Sequence, residues 1–150
     1  MLNLAPAPPE AAGLIAARPD WLVVNESEAA AVLGRPVSGL AGAGRAAAEL
    51  VAAGPRHAVV TAGAHGAALV GPDGIHTVEG FEVEAVDTVG AGDTFVGALA
   101  VAVAAGVPAS QALRAAAAAG AAAVTRHGAQ TAMPRSGDIL AATGVTWPVG

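Results

Sequence analysis

The stretch "VDTVGAGDTFVGALAVAVAAG", residues 86 to 106, sets Asp87, Gly90, Gly92 and Asp93 directly ahead of an apolar helical run. Glycine weakens regular structure from within, and charged residues make up only 13% of the chain. Bare backbone and carboxylates at one junction therefore call for a chemical reason. The first turn of a helix leaves N–H groups unpaired and carries a partial positive charge. Glycine there removes side chains that would hold an anion off the backbone, an arrangement suited to phosphate. A carboxylate beside bound phosphate opposes simple binding, but it suits a general base that takes the proton of an attacking hydroxyl. The structural alternative is that Asp93 caps the helix and Gly92 makes the turn. The pattern is neither a Walker loop nor a complete dinucleotide fingerprint.

"NESE", residues 25 to 28, forms a second constellation. Asn25 closes a short apolar strand and Glu28 follows one helical turn later, so both can face one cavity. An amide and a carboxylate so placed can hold the water shell of Mg²⁺, which favours oxygen ligands and keeps its waters. Taken alone, the spacing fits a capping arrangement better, with Asn25 as the cap and Glu28 at the third helical position. The four histidines, His57, His65, His76 and His127, show no spacing that suggests a metal site and are expected at the surface.

The elements that must position these residues follow from periodicity and punctuation. Residues 2 to 4 read as the tail of a strand, and a short helix is expected from about Pro9 to Ala17. "DWLVVN", residues 20 to 25, reads as a buried strand, and the helix after it is closed by Gly34. A further helix is expected from about Gly44 to Ala53, stopped by Gly54-Pro55. Residues 57 to 63 form a β-branched strand running into a glycine turn. "GAALVGPDGIHTVEG" reads as a hairpin with Pro72-Asp73-Gly74 at its turn. "FEVEAVDTV" alternates enough for one further strand. Helices are expected at about 91–105 and 109–125, then a loop, a short helix and a loose tail from about residue 141. Strands alternating with helices indicate an α/β sheet with helices on both faces. Ligands in such folds bind at the carboxyl ends of the strands, where Asn25, Thr61-Ala62-Gly63 and Asp87 are expected to fall.

Composition narrows the function classes. The chain has 150 residues, enough for one domain or part of one, and a hydrophobic share of 54% argues against disorder. A net charge of -5 argues against a nucleic-acid partner. The absence of cysteine excludes disulfides and thiolate metal sites. The opening "MLNLAPAPPE" lacks a basic region and breaks into prolines, unlike a secretory signal. The apolar stretch from Phe95 to Val107 is too short to span a bilayer. A soluble cytoplasmic protein, with no membrane partner, is the expectation.

Taken together, the motifs resemble the PfkB/ribokinase family of carbohydrate kinases. "VDTVGAGDTF" is similar to that family's carboxyl-terminal signature, and "NESE" to its Asn-x-x-Glu magnesium motif. "VVTAGAHGAALV" resembles its nucleotide loop, and "AAAAAGAAAVTRHGAQTAMP" the segment bordering adenine and a monovalent cation. "LNLAPA" is similar to an Asn-Pro-Ala-Pro strand end, with Leu4 in place of the first proline. The likeness runs in order from residue 2 to about 140, and the "VTR-x-GAQ" wording leans towards ribokinase.

The resemblance implies a three-layer αβα Rossmann-like ribokinase fold, present here as a carboxyl-terminal portion without the β-lid, and it implies ATP, Mg²⁺ and K⁺. Asp93 would be the catalytic base, and Gly90, Ala91 and Gly92 would offer N–H groups to the transferring phosphoryl. Asn25 and Glu28 would organise Mg²⁺ and phosphate through water. Thr61, Ala62, Gly63, Ala64, His65 and Gly66 would line the nucleotide. Ala117 stands where ribokinases often carry histidine or asparagine near adenine, so contact there would be apolar. Asp87, with carbonyls of Val89, Ala123, Arg126, Gly128 and Ala132, would hold the potassium-like ion. The Arg126 side chain has a competing reading as a solvated cation at a helix end.

Family members are about twice this length, and their amino-terminal half carries most sugar contacts. The expectation is therefore an ATP-dependent kinase acting on a sugar, ribose first, and weak or inactive as these residues alone. The alternatives are a non-catalytic nucleotide-binding fragment, or a half-enzyme completed by an amino-terminal half or by homodimer contacts.

Overall fold

The computed structural model describes residues 1–150, which divide into two compact units, Met1–Glu79 and Gly80–Gly150. The α/β class read from the sequence is observed. The first unit holds a five-stranded sheet in the spatial order β1 (Leu2–Asn3), β2 (Trp21–Asn25), β3 (His57–Thr61), β4 (Ala67–Gly71), β5 (Gly74–Val78). β1, β2 and β3 run parallel, and β4 and β5 are added antiparallel. The expected hairpin is present, turning at Pro72-Asp73, and Gly74 supplies a φ of 103° that other residues rarely adopt.

The parallel strands need crossovers, and helices provide them: α1 (Ala11–Ala16) before β2, then α2 (Glu26–Leu33) and α3 (Gly39–Ala52) before β3. Alternation along β2 and β3 sends Leu22, Val24, Ala58 and Val60 into a core with Ala43, Ala46, Ala47 and Leu50 of α3. Val23 and Val59 point to the other face and are buried as well. This burial on both faces suits the near-continuous apolar runs of the parallel strands. Because α3 presents alanines, it can lie close to the strands while Leu50 fills the remaining depth.

The second unit is helical: α4 (Ala91–Ala104), α5 (Ala109–Ala123) and α6 (Ser136–Thr143). α4 and α5 pack along their length, and the alanine face of α5 allows the close approach. A Cβ on Gly120 would lie 3.4 Å from the Ala91 carbonyl oxygen and 3.6 Å from Phe95 Cβ. Ala118, Ala119 and Ala122 of α5 meet Ile139 of α6 in a cluster that also buries Val145, with Trp147 packed against it. The tail expected to be loose from about residue 141 thus begins as the last turn of α6.

Two further expectations differ from the structure. α3 begins at Gly39 rather than near Gly44. The Glu26 carboxylate accepts the Gly39 N–H at 2.6 Å and anchors the helix start one turn earlier than the alanine run suggests. The strand expected at residues 81–89 does not form. Alternation supplies a preference but no ladder partner, and the N–H groups of Val86 and Asp87 go instead to one carbonyl, Val124 O, at 2.8 and 3.1 Å. Phe81 is fixed by its ring, over which the Arg114 guanidinium lies 5.4 Å from the centroid.

The close contact between the end of α3 and α1 yields a stability prediction. Gly54 has φ 155°, and a Cβ there would sit 2.5 Å from the Ile15 carbonyl oxygen. Gly54→Ala should destabilise the chain by roughly 2 kcal/mol in urea titration, from strain plus backbone displacement. An unchanged midpoint would contradict this packing.

Candidate functional site

The candidate residues lie in both units, and each group has its own geometry. In the first unit Asn25 and Thr61 are register partners at the ends of the parallel strands β2 and β3. Asn25 caps α2: its Oδ1 accepts the Glu28 N–H at 2.9 Å, while Glu28 Oε2 accepts the Asn25 N–H at 2.8 Å. The capping arrangement considered from the sequence is therefore present. Each side chain contributes one oxygen to it, and Glu28 Oε1 takes no part.

After Thr61 the chain turns tightly. Ala62 N–H donates to Gly66 O at 2.8 Å and His65 N–H donates to Ala62 O at 2.9 Å, closing a 3-10 turn over Gly63–His65. Gly63 at φ 53° and Gly66 at φ 106° make the turn possible. Gly63, Ala64 and His65 are exposed, while Ala62 and Gly66 are buried beneath them. The loop is thus a compact surface feature at a strand end, where a nucleotide was expected.

In the second unit Gly90 caps α4 in the left-handed conformation, φ 78°, so Gly90 rather than Gly92 makes the turn. A Cβ on Gly90 would press on Ala129, 3.1 Å from its Cα, and with the positive φ this disfavours larger residues. Ala91 N–H is bonded to Thr88 O at 3.3 Å, and Thr94 N–H to Gly90 O at 2.9 Å. Between them, the N–H groups of Gly92 and Asp93 meet no acceptor in the chain. Nothing lies within 4 Å of a Cβ built on Gly92. Asp93 is exposed on this first turn and makes no capping bond, so the capping alternative is not what the fold uses.

Asp87 does not end a strand, contrary to expectation. It ties two loops together. Oδ1 accepts the Val89 N–H at 3.0 Å, and Oδ2 accepts the Gly128 N–H at 2.9 Å. These two bonds, Gly128's foremost, hold its carboxyl below the usual carboxylate range. Gly128 has φ 96°, which residues with side chains rarely adopt, and a Cβ there would crowd the Thr131 hydroxyl. Among the other residues assigned to the cation, Val89 is exposed and Ala132 is buried. The Ala123 carbonyl accepts a long bond, 3.4 Å, from Arg126 N–H. Ala117 is half-buried on α5.

Arg126 is not a free cation. Its guanidinium pairs with both oxygens of Asp138, which raises its pKa and lowers that of Asp138. His57 departs from the surface expectation: half-buried, it stacks on Trp21 with centroids 4.1 Å apart, and its Nδ1 lies 3.0 Å from Asp20 O. Sequence reasoning missed Asp138, whose only signal is an acid three residues after Arg135. It also missed Thr94, whose buried hydroxyl has no hydrogen-bond partner and which looks like ordinary helix filler in the sequence. No cluster of three or more histidine or acidic residues could hold a metal by side chains alone. No helix is long and apolar enough to cross a membrane.

Comparison with known proteins supplies the wider setting. Residues 1–136 match the pfkB family carbohydrate kinase description. The chain is 38% identical over 138 residues to a ribokinase of Schizosaccharomyces pombe, covering 89% of this chain and 43% of that protein. It is 40% identical over 100 residues to a deoxyribokinase of Salmonella typhimurium, covering 67% of this chain and 33% of the relative. Among solved structures, Thermotoga maritima ribokinase superposes with a TM-score of 0.80 at 32% identity, over 93% of this chain and 46% of that one. Arabidopsis thaliana ribokinase complexed with ribose and ATP gives 0.73 at 33% identity, over 81% and 40%. Escherichia coli phosphofructokinase-2 in complex with potassium gives 0.79 at 29% identity, over 89% and 43%. The fold is that of the ribokinases, and the chain spans less than half the length of these relatives.

The Asp87 clamp carries a pH dependence. Its carboxyl is depressed in the folded chain, so the clamp's stabilisation is complete above the unfolded-state pKa of about 3.9. It is lost as pH falls through the lower folded value. Asp87→Asn should therefore be less stable than the unaltered chain near neutral pH, and the gap should close on acidification below about pH 4. Chemical denaturation across that range checks it, and a gap independent of pH would show that the carboxylate is not the clamp.

Proposed function

Because the chain belongs to the pfkB family of carbohydrate kinases, we propose that it is the nucleotide-binding and catalytic portion of a ribokinase-like enzyme. In this reading the γ-phosphate of ATP passes to a hydroxyl of ribose or a closely related sugar. Support for a pentose comes from relatives named ribokinase and deoxyribokinase, and from the ribose and ATP held by the Arabidopsis structure.

The observation that carries the reading is the first turn of α4. Gly92 has helical backbone and open space where a Cβ would be, so the fold does not require glycine there. Glycine costs a helix up to about 1 kcal/mol relative to alanine. What it provides is unobstructed access to the N–H groups of Gly92 and Asp93, beside a carboxylate uncommitted to the fold. A phosphoryl group approaching that backbone gains donors for its developing charge. The Asp93 carboxylate then accepts the proton of the attacking sugar hydroxyl, so the oxygen that bonds to phosphorus arrives as a better nucleophile. Gly90 and Ala91 set the direction of the turn, and Ala91 N–H joins the donors only by giving up its long bond to Thr88 O.

Mg²⁺ accompanying the nucleotide would neutralise phosphate charge. Asn25 and Glu28 fit a role in its water shell, because capping leaves Glu28 Oε1 unused. Thr61 to Gly66 would line the nucleotide, and Ala117 would give the base an apolar contact. A monovalent cation fits the anionic Asp87 together with carbonyls of Val89, Ala123, Arg126, Gly128 and Ala132. Since both Asp87 oxygens already accept N–H groups, such an ion would reinforce an existing clamp. We place the enzyme in the cytoplasm.

The partial coverage of relatives supports a second reading, a nucleotide-binding portion that becomes a kinase only with an amino-terminal half or in a homodimer. One pair of variants tests the site. Gly92→Ala should stabilise α4 by about 0.5–1 kcal/mol while weakening ATP binding, opposite signs that a structural glycine would not produce. In the chain completed by a ribokinase amino-terminal half, Asp93→Asn should cut turnover at least about 100-fold with ATP affinity retained. Undiminished ribose phosphorylation would remove Asp93 as the base. ATP binding without turnover in the completed chain would favour the non-catalytic module.

A further inference from the structure

A charged contact remote in sequence from the α4 turn is placed to govern it. Asp138, the third residue of α6, accepts the Arg135 N–H at 2.8 Å and so closes the start of that helix. The same carboxylate receives two N–H groups of Arg126, with Nη1 to Oδ2 at 3.3 Å. An exposed ion pair adds little to folding stability. What a two-point contact does supply is orientation, and the object it orients is the loop that follows α5.

That loop touches the approach to α4 at successive points. Val124 O accepts the N–H groups of Val86 and Asp87. Gly128 N–H donates to Asp87 Oδ2. Ala129 lies against Gly90, close enough that a Cβ on Gly90 would come within 3.2 Å of the Ala129 Cβ. Gly90 O in turn receives the Thr94 N–H that starts α4. A displacement of residues 126–129 therefore moves Asp87 and Gly90, and with them the direction in which Gly92 N–H, Asp93 N–H and the Asp93 carboxylate point. Segment 80–90 has no helix or strand of its own to resist such a displacement.

We propose that Asp138, acting through Arg126, is a positioning residue for the first turn of α4, holding the 126–129 loop in the place that Asp87 and Gly90 require. Its bearing on phosphate rests on the kinase reading above. The mechanical link from α6 to Asp87 does not.

The sign of the effect separates positioning from bulk charge. If the two side chains acted on ATP only through their fields, Arg126→Gln would weaken binding and Asp138→Asn would strengthen it. Positioning requires both to weaken it, and requires the double variant to be little worse than either alone. Asn at 138 can still accept the Arg135 N–H, so the start of α6 is retained.

The test is ATP–Mg²⁺ calorimetry on the full chain, paired with amide hydrogen exchange in the absence of ligand. Expected are losses of roughly threefold to thirtyfold in ATP affinity for each single variant, without additivity. Exchange at Gly128 and Val89 should be about tenfold faster, while the α4 and α5 interiors stay unchanged. Unchanged exchange at Gly128 and Val89, or affinity changes of opposite sign, overturn the proposal. Faster exchange with unaltered ATP affinity also overturns it while leaving the kinase reading intact. An unaltered chain that binds no ATP, with exchange as expected, removes the kinase reading and supports the link from α6 to Asp87.

Discussion

The carboxylate of Asp87 accepts N–H groups from two separate loops, and that shared acceptor gives residues 85–90 a fixed course without a strand. A neutral side chain could not serve as well, because an ionised carboxylate accepts at both oxygens and forms stronger hydrogen bonds. The consequence reaches α4. With Asp87 fixed and Gly90 held on Ala129, the helix starts where it does, and the N–H groups of its first turn acquire a defined direction.

Several residues of the second unit give up local stability. Gly92 occupies a helical position that alanine would fill better, and Asp93 leaves the helix start uncapped. Thr94 buries a hydroxyl without a partner. Elsewhere the chain satisfies comparable hydroxyls. Thr125 and Thr143 bond back to Ala122 O and Ile139 O at 2.7 Å. Asn25 and Glu28 cap one another. Open helical glycines also stand at Gly13, Gly97 and Gly137, and α1 and α5 also start without a side-chain cap, so the α4 turn is distinguished by combining these features with the unpartnered Thr94 hydroxyl.

Much of the fold was legible because apolar periodicity and glycine-proline punctuation both act locally. The sheet strands, the hairpin, Gly34 as a helix stop and the α4–α5 pair follow from such signals. The failures were tertiary. "FEVEAVDTV" alternates like a strand, yet its N–H groups were claimed by Val124 O, which pattern alone cannot foresee. The start of α3 depends on Glu26, well upstream of it. Motif spacing singled out Asn25 and Thr61 in the first unit and Gly92 and Asp93 in the second as candidates. It did not indicate that Asp87 would be a loop clamp, or that Arg126 would be held by Asp138, because those contacts join residues whose separation carries no periodicity.

The central claim is that the first turn of α4 presents free backbone N–H groups to a phosphate. Amide chemical shifts of the isotopically labelled chain during titration with ATP–Mg²⁺ address it most directly. The account predicts that the Gly92 and Asp93 resonances shift furthest, in the direction of stronger hydrogen bonding, with inorganic phosphate giving a smaller change of the same kind. Saturable ATP binding that leaves both resonances in place would contradict it.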